Sequence, residues 1–150
     1  MITVLLSVAL LIPVAEPPKL TDAAKKELKN FEGSWEVVRL ETGGNVQKPE
    51  KGEAIVTFEG AKLKVTLGEK VQQEAEVVAL DPTTSPMCFD LKNIPANAKR
   101  EGLVYEAVFK IEGDMLHYCV YNGKDKQRPT GFDTPKDDDT QLFVLKRVKQ

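Results

Sequence analysis

Two residues frame this chain. Trp35, in Gly33-Ser34-Trp35, heads the first run that alternates apolar with polar residues, and Arg147 stands at the end of the last. Between them about eight short runs of period two follow one another, each ended by a turn signal. Side chains of a strand point alternately to opposite faces, so each run offers one apolar and one polar face. Short strands, each a neighbour of the next, give an antiparallel up-and-down meander. Pairing the last strand with the first removes the exposed edges. The expected fold is therefore all-β: a closed or nearly closed eight-stranded antiparallel barrel with one short N-terminal helix. A barrel of about eight strands either fills its interior or holds one small ligand.

The runs are legible one by one. Trp35–Glu41 ends at Thr42-Gly43-Gly44-Asn45. Ala54, Val56 and Phe58 alternate with Ile55, Thr57 and Glu59, and Glu59-Gly60 turns the chain. Leu63, Val65 and Leu67 alternate with Lys62, Lys64 and Thr66, up to a turn at Gly68-Glu69-Lys70. Further strands are expected over Gln73–Leu80, Met87–Leu91, Leu103–Ile111, Met115–Tyr121 and Gln141–Val148. Asn93–Gly102 and Asn122–Thr140 are the long connections. Ahead of the strands, Lys19–Phe31 reads as a helix that Thr21 or Asp22 caps. Its Ala24, Leu28 and Phe31 fall at i, i+4 and i+7, one stripe that should lie against the barrel and across one mouth.

The first residues differ in kind. Ile2–Ile12 is apolar apart from Thr3 and Ser7, uncharged, and followed by Pro13-Val14-Ala15. Such a run has the length of the apolar core of a secretory signal and is too short to span a bilayer. The expected division is a signal peptide over 1–15 and a barrel domain over 19–150, exported to the periplasm, cell envelope or medium. No later run suffices for a transmembrane helix, so the chain is not expected to be integral to a membrane. A net charge of −2, with Lys and Arg spread along the chain, offers nucleic acid no basic patch.

Reactive side chains are few. The chain has two Cys and one His. Parity turns Phe89 and Leu91 inward and Cys88 and Asp90 outward, and likewise Leu116, Tyr118 and Val120 inward and His117 and Cys119 outward. Cys88 and Cys119 fall on strands separated by a third, roughly 9–10 Å apart, beyond the roughly 7 Å reach of a disulfide. They are expected to stay unpaired, and with His117 they lack the spacing and fourth partner of a zinc site. No nucleophile elbow, P-loop or zinc-protease helix occurs. Asp137-Asp138-Asp139 lacks the pattern of a calcium loop and reads as a solvated acidic segment. No catalytic residue, metal or cofactor is assigned, and the chain is not expected to be an enzyme. In Arg128-Pro129-Thr130-Gly131-Phe132, proline fixes a turn and Phe132 is expected at the barrel rim, as a loop anchor or a mouth-lining element.

Several segments carry a resemblance. They are Leu28–Val38 with Leu40-Glu41, Val56–Gly60, Leu80-Asp81-Pro82 and Phe89-Asp90-Leu91. With them go Gly113–Leu116 with Cys119, Arg128-Pro129-Thr130 with Phe132, and Leu145-Lys146-Arg147. In order and spacing, from about Leu20 to the C-terminus, they resemble an uncharacterised lipocalin-like domain family abundant in planctomycete bacteria. The resemblance implies a lipocalin-type barrel, often exported, and does not imply an activity. The looser similarity to lipocalins, through Gly33, Trp35 and Arg147, implies a structural end-seal in which the Trp lies over the closed end and the Arg packs across it.

Two functions follow for such a barrel. One is an exported binding module holding a small apolar molecule, entering opposite Trp35 and meeting Phe58, Val65, Phe89, Tyr105, Phe109 and Tyr118, with Val78 also in the lining. The other is a packed, ligand-free barrel that serves as a cell-envelope interaction domain.

Overall fold

The computed structural model describes residues 20–94, 103–121, 127–136 and 139–149. The expected signal segment over 1–15, the stretch 95–102 and Asp137-Asp138 lie outside them. The elements run α1 (Asp22–Leu28), β1 (Gly33–Thr42), β2 (Asn45–Gln47), β3 (Ala54–Glu59), β4 (Lys62–Leu67), β5 (Lys70–Asp81), β6 (Met87–Asn93), β7 (Val104–Glu112), β8 (Met115–Tyr121) and β9 (Thr140–Arg147).

Every strand from β3 to β9 pairs antiparallel with the next, β3 pairs with β1, and β9 returns to β1. The result is the expected closed eight-stranded antiparallel barrel with one short helix. Closure runs from Trp35 opposite Arg147 to Thr42 opposite Gln141, so almost the whole of β1 is covered. We call the end with Gly33, Phe58 and Arg147 the lower end, and that with Thr42, Leu67, Asn93 and Thr140 the upper end.

A ninth strand, β2, is the first departure from expectation. Thr42-Gly43-Gly44-Asn45 does not simply end β1: it turns the chain back so that Asn45 to Gln47 pair with Thr42 to Leu40. Gly43 and Gly44 have φ of 54° and 81°. A two-residue hairpin turn needs positive φ at both central positions, which glycine alone adopts without strain.

The second departure is local. Between Val77 and Ala79 the pairing of β5 with β6 slips by a residue. A bulge of this kind reverses which residues face inward. Val77 is therefore buried in the core, and Val78, expected in the lumen, is not part of it. Similar slips occur between Val37 and Arg39 and between Val65 and Thr66.

The helix is shorter than Lys19–Phe31. Thr21 caps it, its hydroxyl accepting from the Ala24 amide at 3.1 Å. Ala24 and Leu28 are buried in the barrel's core cluster, and α1 packs against β5. Past its last turn the chain delivers Phe31 into the lumen.

Candidate functional site

The lumen has two unlike halves. At the lower end Trp35 is 0% exposed. Its indole N–H donates to the Phe31 carbonyl at 2.7 Å. The Arg147 guanidinium lies 4.1 Å from the indole centre and donates to the carbonyls of Glu32 at 2.8 Å and Asn30 at 2.7 Å. Carbonyls just beyond a helix have no partner in the helix itself. Here Trp35 and Arg147 supply partners to three consecutive ones. Gly33 is required by its backbone and not by space: its φ of 110° is one an L side chain rarely adopts, whereas a Cβ there would make only an ordinary contact, 3.8 Å from Arg147 Nη1.

Above that cap, aromatic rings fill the space. Phe31 meets Phe58 at 5.1 Å, Phe109 at 4.9 Å and Phe89 at 5.9 Å, centre to centre. Phe89 and Phe109 meet edge to face at 5.1 Å. Such tilted and edge-on pairs are the favoured geometry of packed rings. The expected lining is thereby divided. The register sets Phe58 opposite Gly33, at the closed end, so Phe58 and Phe109 do not face an entrance opposite Trp35. With Phe89 they are spent against Phe31. The apolar stripe of the helix region gave the signal for this: Phe31 is its last member, and a stripe laid across a mouth puts that residue inside.

The remaining candidates lie higher. Val65 and Tyr105 are inward but only half-buried, as is Phe143, whose ring stacks on Tyr118 at 4.6 Å and 13°. Tyr118 itself is buried, and burial pushes its hydroxyl well above its ordinary pKa, so it stays a neutral phenol. A polar pair joins them that alternation alone did not single out. Asn93 stands opposite Ala75 at the top of β6, 4% exposed, and Gln73 Nε2 donates to its Oδ1 at 2.6 Å. Ala75 and Leu91 belong to the core, so both amides are on the lumen face. Asn93 fell in a stretch expected to be a polar connection, and Gln73 at the first residue of a strand.

The outer wall differs from the simple polar face expected. Val108, Cys119, Leu142 and Val144 form a second buried cluster, with Cys88, Val38, Met115 and Phe132 against it. Cys119 does point away from the lumen, yet is 0% exposed. Phe132 lies here, under Lys110 at 5.0 Å and beside His117 at 6.5 Å, and not in the barrel rim. Its position follows from two anchors. Arg128 donates to Asp90 at 2.7 Å and to the Ala107 carbonyl at 2.9 Å, and Thr134 donates to Glu41 at 2.6 Å. Burial opposes the charge of Arg128, but the bond to Asp90 together with the negative charges of Asp90 and Glu106 outweighs it and raises the pKa. The bonds from Thr134 and then Arg39 lower that of Glu41. Cys88 and Cys119 form no disulfide, and each stands opposite Val108.

Among the described residues, no three His, Cys, Asp or Glu side chains gather as metal ligands, and no helix is long and apolar enough to cross a membrane. Compared with protein families, with curated proteins and with solved structures, the chain finds no match in any of the three.

Proposed function

We propose that this protein is an exported lipocalin-like binding module that takes a small, largely apolar molecule in the upper half of its barrel. One observation carries the reading. Inward-facing Val65, Gln73, Tyr105 and Phe143 remain partly exposed at the upper end, while Phe31, Trp35, Phe58, Phe89 and Phe109 are sealed from solvent at the lower. At the lower rim Met87 and Ile111 are also only partly buried, but behind them the ring cluster is closed to water, as a one-mouthed container requires. Leu67, 44% exposed at the rim, adds apolar surface at the entrance. Burying such surface against a ligand contributes roughly 25 cal/mol per Å².

The filled lower half bounds the occupant. It rests against Tyr105, Tyr118 and Phe143 and does not reach Trp35, so a compact ring or short chain fits and a long extended acyl chain does not. No reacting group is assigned to the site: the proposed action is sequestration and not catalysis. Export rests on the charge-free segment ending at Ala15, and N-terminal sequencing of protein from cell fractions tests it. An uncleaved chain in the cytoplasm overturns it.

Titration with the neutral dye N-phenyl-1-naphthylamine tests binding. Saturable binding to the wild type that Tyr105→Trp abolishes by filling the upper lumen supports the reading. If the dye does not bind, the packed, ligand-free barrel replaces it. That second reading has its own observation, the apolar outer cluster around Val108 and Cys119, which a partner could engage where Phe132 now lies.

A further inference from the structure

The Gln73–Asn93 pair says more about the occupant. We infer that the upper lumen selects an uncharged molecule with a hydrogen-bonding head, such as a short-chain alcohol or primary amide, over a carboxylate of the same length. This rests on the binding reading above and goes beyond it by naming the head group.

A polar side chain enclosed among apolar neighbours is costly unless hydrogen-bonded. Asn93 is nearly sealed, stands opposite Ala75 and on the same face as Leu91, and receives one bond from Gln73. That bond uses one N–H and one carbonyl of the two amides. An amide carries two donors and one acceptor group with two lone pairs. Whichever way the two amides are turned, the joined pair therefore still offers both an N–H and a carbonyl to a third group. A hydroxyl or primary amide satisfies both, because it donates and accepts. A carboxylate only accepts: it takes the N–H but sets its charge against the remaining carbonyl.

Among the described residues, nothing beside the pair offsets that charge. The rungs of the upper lumen carry Leu40, Ala54, Val65, Leu91, Tyr105 and Phe143, all uncharged. Tyr118, neutral at any ordinary pH, adds no charge. Lys70 is paired with Leu67 on that face, but at the exposed tip of the β4–β5 hairpin, and Gln73 lies deeper, opposite Val65. Arg147 is at the other end under Trp35, and Arg128 is outside the wall on Asp90. An ionised head carried to the depth of Asn93 would lose its water without gaining a cation from the described residues.

Octanamide, 1-octanol and octanoate, titrated separately into ¹⁵N-labelled full-length protein, decide the matter. The side-chain NH₂ signals of Gln73 and Asn93 report directly on the head group. The expected result is that octanamide and octanol shift both signals and bind about tenfold or more tighter than octanoate. In Gln73→Met, at a half-exposed position, the preference should fall to about twofold or less, with a thermal melt to show that the barrel is intact. Lys70→Ala should leave the preference unchanged. If octanoate binds as tightly as octanamide, or if Lys70→Ala alone removes octanoate binding, this inference is overturned while the binding reading stands. If none of the three binds and the dye does not either, the binding reading falls and this inference with it.

Discussion

The two halves of this barrel are built from the same strands and behave as opposites. Below, four phenylalanines, a tryptophan and an arginine close on each other, and no polar side chain is left unpartnered among the buried described residues. Above, the inward side chains are fewer, smaller or hydrogen-bonding, and solvent reaches several of them. The contrast teaches that close packing is concentrated at one end of the barrel axis and partly exposed polar and apolar groups at the other. The lower half supplies most of the packing that holds the strands in register, and the upper half is free to present a polar pair that a core would not tolerate alone.

Substitution should expose this asymmetry first at Trp35. Trp35→Ala removes a fully buried ring, the bond to Phe31 and the seat of Arg147, and is expected to cost about 3–5 kcal/mol. Tyr105→Ala, half-exposed above, should cost only about 1 kcal/mol. Denaturant unfolding of both variants measures the difference. Equal losses would mean that the halves are not energetically distinct.

Phe31→Ala tests what fills the lower half. Its loss should cost about 3 kcal/mol and leave an apolar cavity among Phe58, Phe89 and Phe109. Such cavities bind benzene-sized molecules, and binding to the folded state alone raises stability. Benzene should therefore raise the melting temperature of Phe31→Ala more than that of the wild type. No such difference would show that the neighbouring rings collapse into the space.

Arg147→Ala should cost less, about 1–2 kcal/mol, since water can reach the Asn30 and Glu32 carbonyls it serves. Arg147→Lys should recover less than half, because a point charge cannot bridge two carbonyls and cover the indole at once. Full recovery by Lys would reduce the seal to simple charge.

How far the sequence foretold this contrast depends on which physical signal each residue leaves. Barrel closure was legible because alternation and turn residues are local, and they repeat from Trp35 to Arg147. The seal residues were legible by resemblance. The inside of the barrel was read less well. Parity correctly turned Phe58, Phe89 and Phe109 inward, but it carries no information about depth, so they were placed near an entrance they do not face. A one-residue slip at Val77 moved Val78 out of the lumen, and slips leave no mark in alternation. Gln73 and Asn93 were missed because a lone polar residue at a strand end reads as solvent-facing. The outer cluster that holds Cys119 is packed in part by Phe132, whose segment is anchored by Arg128 to Asp90, 38 residues away. No local pattern encodes so distant a contact.

The outer cluster gives a sharper control for the comparison, since it touches neither half of the lumen. Phe132→Ala should cost about 1 kcal/mol and speed alkylation of Cys119, which the wild type shields, relative to half-buried Cys88. Dye binding in the lumen should not change. If binding changed as well, the outer wall and the upper lumen would be coupled, and the division would run across the wall as well as along the axis.

The smallest effect belongs to His117. It stands on β8 opposite Lys110 of β7 and Val144 of β9, with the Phe132 ring beside it. Burial, and then the charge of Lys110, lowers its pKa below the ordinary 6.5, against a weaker pull from Glu112. The fold therefore favours the neutral ring. Well above pH 6.5 the ring is neutral in both the folded and the unfolded chain, and its contribution is intact. As the pH falls from there towards the depressed folded value, the unfolded chain takes up a proton that the fold resists, and stability declines. Because the ring is partly exposed, screening by solvent keeps this slope shallow. His117 is the chain's one histidine, so the wild type should lose stability between about pH 7 and about pH 5 faster than His117→Gln does. Parallel slopes would show that the ring gains its proton as readily in the fold as outside it. That would place Phe132 too far from the wall to dry it, and it would weaken the account of the outer cluster while leaving both halves of the lumen as they are.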